Sequence, residues 1–338
     1  MDIELKIIIL RFLRGIRLFF KYATFKKIIN SLIVETERRF CKSIVAGSPY
    51  FIKIQTASKC DSGCRYCLSN VSTSGSTMHL ETFKKIIDKN KQYLYLAALH
   101  FSGESLFNEN IYFMIKYAHE NRVATYLSTN FQHFKKNDAE TLILSGLDLL
   151  TVTLDGATER TYRSYKKNGD LHTVLDNLSI VVKTKKKLKS KWPILNMQFL
   201  VTSYNEGEVD AIRKIARELN VDSLELKPLG VRDKKLLPKN GKYLRSFYKG
   251  KSLEKNPCWW LWSAFVVLVN GEMIPCCSPY YSASSNDHIG NLAEDGPDQV
   301  KNSKILQQLR NDFHSSKELG INCLKCPIPY GNLLRHTL

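Results

Sequence analysis

SKCDSGCRYC, residues 58–67, places Cys60, Cys64 and Cys67 on one short stretch with Cys-x-x-x-Cys-x-x-Cys spacing. It follows directly on an apolar run, Tyr50–Ala57, that reads as a β-strand, so the three thiols share the loop at that strand's end. Three is an informative number. A structural zinc site is normally closed by four ligands, whereas a cubane cluster held by three cysteines leaves one iron open to an exogenous ligand. Eight histidines could supply a fourth zinc ligand, though none is near the loop in sequence. On spacing, a zinc site and a cluster both stay open.

Outward from this loop, short apolar segments alternate with helical ones, the pattern of parallel strands joined by crossovers. The strands read as Tyr50–Ala57, Tyr93–Phe101, Ala124–Thr129, Leu149–Leu154, Leu195–Thr202 and Ser223–Pro228, with helices such as Leu80–Lys89, Glu109–Asn121, Asp138–Ser145 and Glu206–Asn220 between them. Six units of this kind predict an α/β fold, a partial (β/α)6 parallel TIM-like barrel, whose reactive groups belong in the loops beyond the carboxyl ends of the strands. Three polar segments fall there: FSGES (101–105), LSTN (127–130) and TLDGATERTYRSY (153–165). Taken singly, each is also an ordinary turn or helix N-cap. Leu229–Pro257 reads as a linker, and the chain after it is cysteine-rich, with short strands and a turn at Asn270-Gly271. The expected division is a helical leader over 1–45, a barrel over 46–230, a linker over 231–257 and a small cysteine-rich domain over 258–338.

With Tyr66 just before the last cysteine, the loop resembles the signature of the radical S-adenosylmethionine (SAM) superfamily. The resemblance implies that Cys60, Cys64 and Cys67 hold a 4Fe-4S cluster whose open iron chelates SAM, and that Tyr66 lies against the adenine. FSGES resembles the family's Gly-Gly-Glu segment, with Ser102 in place of the first glycine and Gly103 and Glu104 matching. The cofactor's ammonium needs acceptors, and close backbone approach needs a small residue. LSTN resembles the segment that contacts ribose or carboxylate, through Ser128 and Asn130. TLDGA resembles a Ser-Ile-Asp-Gly-Ala segment, which gives Asp155 a cofactor or substrate role.

The C-terminal thiols Cys258, Cys276, Cys323 and Cys326 suit zinc or an iron–sulfur cluster equally on spacing. NGEMIPCC, the following IGNL and the late Cys-x-x-Cys are similar to the superfamily's auxiliary-cluster domains, called SPASM in the longer form. Because no cysteine follows Cys326, the shortened, twitch-like form with one auxiliary 4Fe-4S cluster is expected, with Cys277 an alternative ligand to Cys276. Trp259, Trp260 and Trp262 read as core around that cluster, and Cys41 as structural.

Composition narrows the classes further. Nine cysteines in 338 residues, without a secretory-leader pattern, point to a reducing compartment, the cytoplasm by default. A net charge of +18 favours anionic partners of any kind, and the peak at Lys183–Lys191 reads as a solvated helix face or loop. No apolar stretch is long enough to span a membrane. On a helix, Leu5, Ile8, Ile9, Phe12, Leu13, Ile16, Phe19 and Phe20 share one face, with Lys6, Arg11, Arg14, Arg17 and Lys21 mostly off it. Such a helix can pack on its own domain or make peripheral contact with an anionic membrane surface.

The resemblance implies an oxidoreductase. An external one-electron donor such as flavodoxin or ferredoxin reduces the cluster, SAM is cleaved to a 5′-deoxyadenosyl radical, and hydrogen is taken from an unactivated carbon. An auxiliary cluster as electron acceptor makes the net reaction an oxidation. A carbohydrate, cyclitol or lipid-linked substrate is expected, with radical modification of a peptide or protein as the alternative. A zinc-stabilised nucleic-acid-binding protein explains the charge and the cysteines together, but not the order of the barrel motifs.

Overall fold

Apolar runs bounded by turns become strands where a second layer can cover them, and six do so in chain order. The computed structural model describes residues 17–65, 67, 74–228, 234–244, 257–276 and 289–314. Its strands β1 (Phe51–Ile54), β2 (Leu96–Ala98), β3 (Ala124–Thr129), β4 (Leu149–Thr153), β5 (Ile194–Val201) and β6 (Ser223–Pro228) lie side by side, every pair parallel. β1 and β2 are shorter than the apolar runs that contain them, the remainder of each run entering the flanking loops.

Helix α1 (Phe25–Arg39) precedes the sheet. Between the strands come α2 (Leu80–Asn90), α3 (Ile111–Glu120), α4 (Ala139–Leu144), the pair α5 (Glu159–Tyr165) and α6 (Leu171–Lys187), and α7 (Val209–Glu218). Along β5 burial alternates: Leu195, Met197, Phe199 and Val201 are buried in the core shared with Val174, Val181 and Ile212 of the helices. The intervening residues face the other, concave side of the sheet. The lysine run ends α6, with Lys185, Lys186 and Lys187 in its last turn, where cations complement the helix dipole.

The C-terminal segment joins this sheet. After α8 (Trp260–Ser263), β7 (Ala264–Val267) runs parallel to β1, with Ile52 opposite Phe265, and β8 (Met273–Ile274) returns antiparallel to it. The result is one eight-stranded sheet in the order β6-β5-β4-β3-β2-β1-β7-β8, followed by α9 (Pro297–Val300) and α10 (Lys304–His314).

Residues 17–22 are helical and close the N-terminal end of the barrel. Leu18 and Tyr22 are buried against Ala124, Leu96, Leu149 and Trp192, at or next to the starts of β2 to β5. The expected apolar face is therefore not the buried one here, since Phe20 is 73% exposed. The cause is polar: the Tyr22 hydroxyl donates to the buried Asp148 carboxylate at 2.8 Å, and Lys21 pairs with it at 2.8 Å. Leu5 to Ile16 of that face lie outside the described residues. None of the described helices is long and apolar enough to cross a membrane.

Candidate active site at the strand ends

The cysteine loop is held along its length by backbone hydrogen bonds. Ser58 N donates to Ser76 O at 2.9 Å and Ala57 bridges Thr77, which closes the base. Gly63, at φ +58°, turns the chain between Cys60 and Cys64. Cys64 then pairs with Lys166 in an antiparallel bridge, Arg65 N donates to Tyr165 O at 2.8 Å, and Asn168 Nδ2 donates to Asp61 O at 2.7 Å. Cys60 and Cys64 are half-buried and Cys67 is exposed. Tyr66 lies outside the described residues.

Burial pushes the Cys64 thiol up to about 12; the Lys166 ammonium pulls the other way, and the charges of Asp155, Cys67 and Cys60 add to the rise. Burial also raises Cys60. Among the described residues, no three His, Cys, Asp or Glu side chains converge closely enough to hold a single metal ion. Cys64 nevertheless senses both other thiols, and a cation lies beside it. Three thiols on one loop, not drawn onto a single ion and with Lys166 beside Cys64 to offset their charge, fit the wider span of an anionic cluster with one open iron.

The end of β2 lies on the base of this loop. Gly103 has φ +93°, and a Cβ there would stand 2.2 Å from Ala57 O, so only glycine permits the approach. Glu104 N donates to Lys59 O at 2.8 Å, next to Cys60. The Glu104 carboxylate, 3% exposed, accepts from Thr129 Oγ1 at 2.6 Å, Leu106 N at 3.1 Å and Asn130 N at 2.8 Å. Burial raises its carboxyl against the effect of these bonds. Glu104 thus ties β2 to the LSTN segment ending β3. Asn130 Nδ2 donates to Ser62 Oγ and lies 4.0 Å from Cys60 Sγ. Ser102 Oγ accepts from Gln55 Nε2 at 2.5 Å, and Ser128 N donates to His100 Nδ1 at 3.2 Å.

Asp155, at the end of β4, accepts from Leu200 N at 3.2 Å and pairs with Lys166 Nζ at 3.1 Å. Lys166 is 3% exposed and also donates to Thr153 O and Oγ1. Burial disfavours its charge, but Asp155, Tyr162 and Cys64 outweigh that and hold it above the usual lysine range. The structure therefore brings Cys60, Cys64, Gly103, Glu104, Asn130 and Asp155 into one hydrogen-bonded set. Lys166, Gln55 and His133 belong to the same neighbourhood and lie in no motif of the sequence, whereas Thr129 and Asp61, the latter paired with His133 at 2.5 Å, lie inside the LSTN and cysteine-loop stretches with no role assigned to them there. A lysine near a helix end reads as solvated, so burial of Lys166 had no local signal.

Below the loops, the concave face changes character around the barrel. Asn196, Thr151, Ser223, Gln198 and Lys227 hydrogen-bond to one another across β4, β5 and β6. On the β1–β7 side, Phe51, Val266, Trp259 and Trp260 pack beside Cys258 and Cys276. Trp259 meets Phe51 with ring centroids 5.4 Å apart, and Trp262 Nε1 donates to Lys42 O at 2.9 Å, so the three tryptophans are core. Cys41 is half-buried and packs against the main core. Cys277, Cys323 and Cys326 lie outside the described residues.

Residues 54–224 match the family model of the Radical SAM superfamily, and residues 258–327 match that of SPASM, an iron–sulfur cluster-binding domain. The chain is similar to Streptococcus suis SuiB bound to precursor peptide SuiA, at 13% identity over 88% of this chain and 73% of that one, with a TM-score of 0.65. Against SuiB bound to S-adenosylmethionine the values are 14%, 88%, 74% and 0.65. Against native anSMEcpe with bound AdoMet and Cp18Cys peptide they are 16%, 84%, 88% and 0.55. No curated protein sequence matches this one.

Proposed function

We propose that this chain, which belongs to the radical SAM superfamily and carries its SPASM iron–sulfur domain, oxidises a small hydroxylated substrate at an unactivated carbon. Membership gives it a 4Fe-4S cluster, SAM and auxiliary iron–sulfur chemistry. It also accounts for the cysteines that a zinc-stabilised nucleic-acid-binding protein would otherwise explain. The observation that carries the site assignment is the knitting of the Cys60–Cys67 loop to the ends of β2, β3 and β4 through Gly103, Glu104, Asn130 and Lys166.

When bound there, a reduced cluster supplies the electron that cleaves SAM to a 5′-deoxyadenosyl radical. Cys60, Cys64 and Cys67 would hold the irons, leaving one open. Ser102, Gly103 and Glu104 shape the turn beside them and offer acceptors for the cofactor's ammonium, while Tyr66, Ser128, Asn130 and Asp155 supply its other contacts. Lys166 pairs with Asp155 and offsets the charge of the thiolates. Cys258, Cys276, Cys323 and Cys326 would hold one auxiliary cluster as the acceptor of the second electron, and flavodoxin or ferredoxin would supply the first.

The polar concave face of β4, β5 and β6 supports a carbohydrate, cyclitol or lipid-linked substrate, because hydroxyl groups withdrawn from water need partners. Peptide modification is the second reading, favoured by the peptides bound to SuiB and anSMEcpe. The test is iron and sulfide content of anaerobically purified protein, with dithionite-driven 5′-deoxyadenosine formation. About eight irons, falling to about four in a Cys60/Cys64/Cys67→Ala variant that makes no nucleoside, is the expected result. Zinc without nucleoside would overturn it.

A further inference from the structure

Helix α1 is built inside out. Its buried residues are Lys27, Asn30, Val34 and Glu37, three of them polar or charged, while Phe25 (81% exposed), Leu32 (61%), Ile29, Ile33 and Phe40 face solvent. At 100° per residue these five, Phe40 being the residue that caps the helix, fall within one third of the helix circumference and form an apolar stripe in which Thr36 is the one polar residue. Phe20 before it and Ile44 after it are exposed as well. Contiguous exposed apolar surface of this kind marks a contact with something other than water.

The inward polar side is fully used by the protein itself. Lys27 Nζ donates to Arg122 O, Asn30 Nδ2 donates to Ser48 O at 2.7 Å, and Glu37 accepts from Ala46 N at 2.7 Å and Gly47 N at 3.1 Å. The orientation is therefore fixed by hydrogen bonds and the apolar stripe cannot turn inward.

Charge selects the occupant. From Arg17 to Lys53 the only acidic residues are Glu35 and Glu37, and both are held by the fold. Glu35 accepts from the Tyr50 hydroxyl at 2.6 Å and from Ser263 Oγ at 3.0 Å, and pairs with Arg38. The exposed charged residues of α1 and of the segments flanking it in sequence, Arg17, Lys26, Arg39 and Lys42, are all cationic. Apposing two such faces in a dimer would set cations against cations, and the leader, in which Lys6, Arg11 and Arg14 outnumber Asp2 and Glu4, is net cationic too. An anionic bilayer satisfies both features at once, taking the phenylalanines at the acyl boundary and the cations at the headgroups.

We infer that the outward face of α1 docks the enzyme on an anionic membrane surface. Through Tyr50 and Ser263, α1 is anchored at the starting ends of β1 and β7, whereas the cysteine loop leaves the other end of β1, so docking leaves the site accessible. The anaerobically purified full chain is sedimented with vesicles of phosphatidylcholine alone and with about one third phosphatidylglycerol. Binding to the anionic vesicles alone, weakened by salt, is expected. A Phe25→Ser/Leu32→Ser/Phe40→Ser variant should lose at least about tenfold in partitioning. Its iron content and 5′-deoxyadenosine formation should stay at the wild-type level, and Lys26→Glu/Arg39→Glu should lose anionic selectivity by itself. No wild-type binding, or unchanged binding by both variants, would overturn the inference. So would a loss in Ile8→Ser/Phe12→Ser with none in the α1 variants, which assigns lipid contact to the leader, or a dimer that the triple variant dissociates without any vesicle binding.

Discussion

Replacing Gly103 by alanine separates two roles of the Ser-Gly-Glu turn: contact with the cofactor, and support of the cysteine loop. The new Cβ would stand 2.2 Å from Ala57 O, 2.9 Å from Ala57 C and 3.0 Å from Ser58 C, all backbone atoms at the root of the loop that carries Cys60. Ordinary contact begins at 3.4 Å, so the two segments must part by about 1.2 Å. A φ of +93° costs a residue with a Cβ about 1–3 kcal/mol. Parting the segments also loses the hydrogen bond from Glu104 N to Lys59 O, worth about 1 kcal/mol. A total of about 2–4 kcal/mol shifts the balance toward a displaced loop by about thirtyfold or more. Iron and sulfide content after anaerobic reconstitution should therefore fall at the first site while the auxiliary site stays filled. Ser102→Gly, which only removes atoms, should keep its iron. Full iron content in Gly103→Ala, with SAM binding alone weakened, would refute the loop-support reasoning.

Lys166→Met strands the Asp155 carboxylate in a buried setting and should cost about 3–5 kcal/mol in denaturant unfolding; Lys166→Met/Asp155→Leu should recover most of it, and an unchanged midpoint in the single variant would deny the pair its role. His119, which bonds Tyr22 at 2.9 Å, has its pKa lowered by burial and then by Lys21. A folded value below the unfolded 6.5 gives stability that is present above pH 6.5 and lost as pH falls through the folded value. Thermal unfolding followed between about pH 7.5 and 5.5 should show that slope in the wild type and a flatter one in His119→Gln.

Local patterns sufficed where a segment's partners are its sequence neighbours. β3 and β6 run over the residues expected, and the cysteine loop, Ser-Gly-Glu and Ser-Thr-Asn fall at consecutive strand ends because a parallel barrel puts every strand's carboxyl end on one rim. What stayed hidden depends on distant partners. β7 extends the sheet by lying beside β1, residues 264–267 against 51–54, and nothing in AFVV names that strand. Lys166 sits one residue past Tyr165, where a lysine ordinarily points to water, and only the fold carries it to Asp155 and Cys64. Helix α1 makes the limit clearest. Periodicity reveals an apolar stripe, and the ordinary reading turns it toward the core. The direction is set instead by the carbonyls of Arg122 and Ser48 and the amides of Ala46 and Gly47, which take up its polar side. Buried polar groups must find partners, and a helix whose polar residues have them inside will show its apolar residues outside.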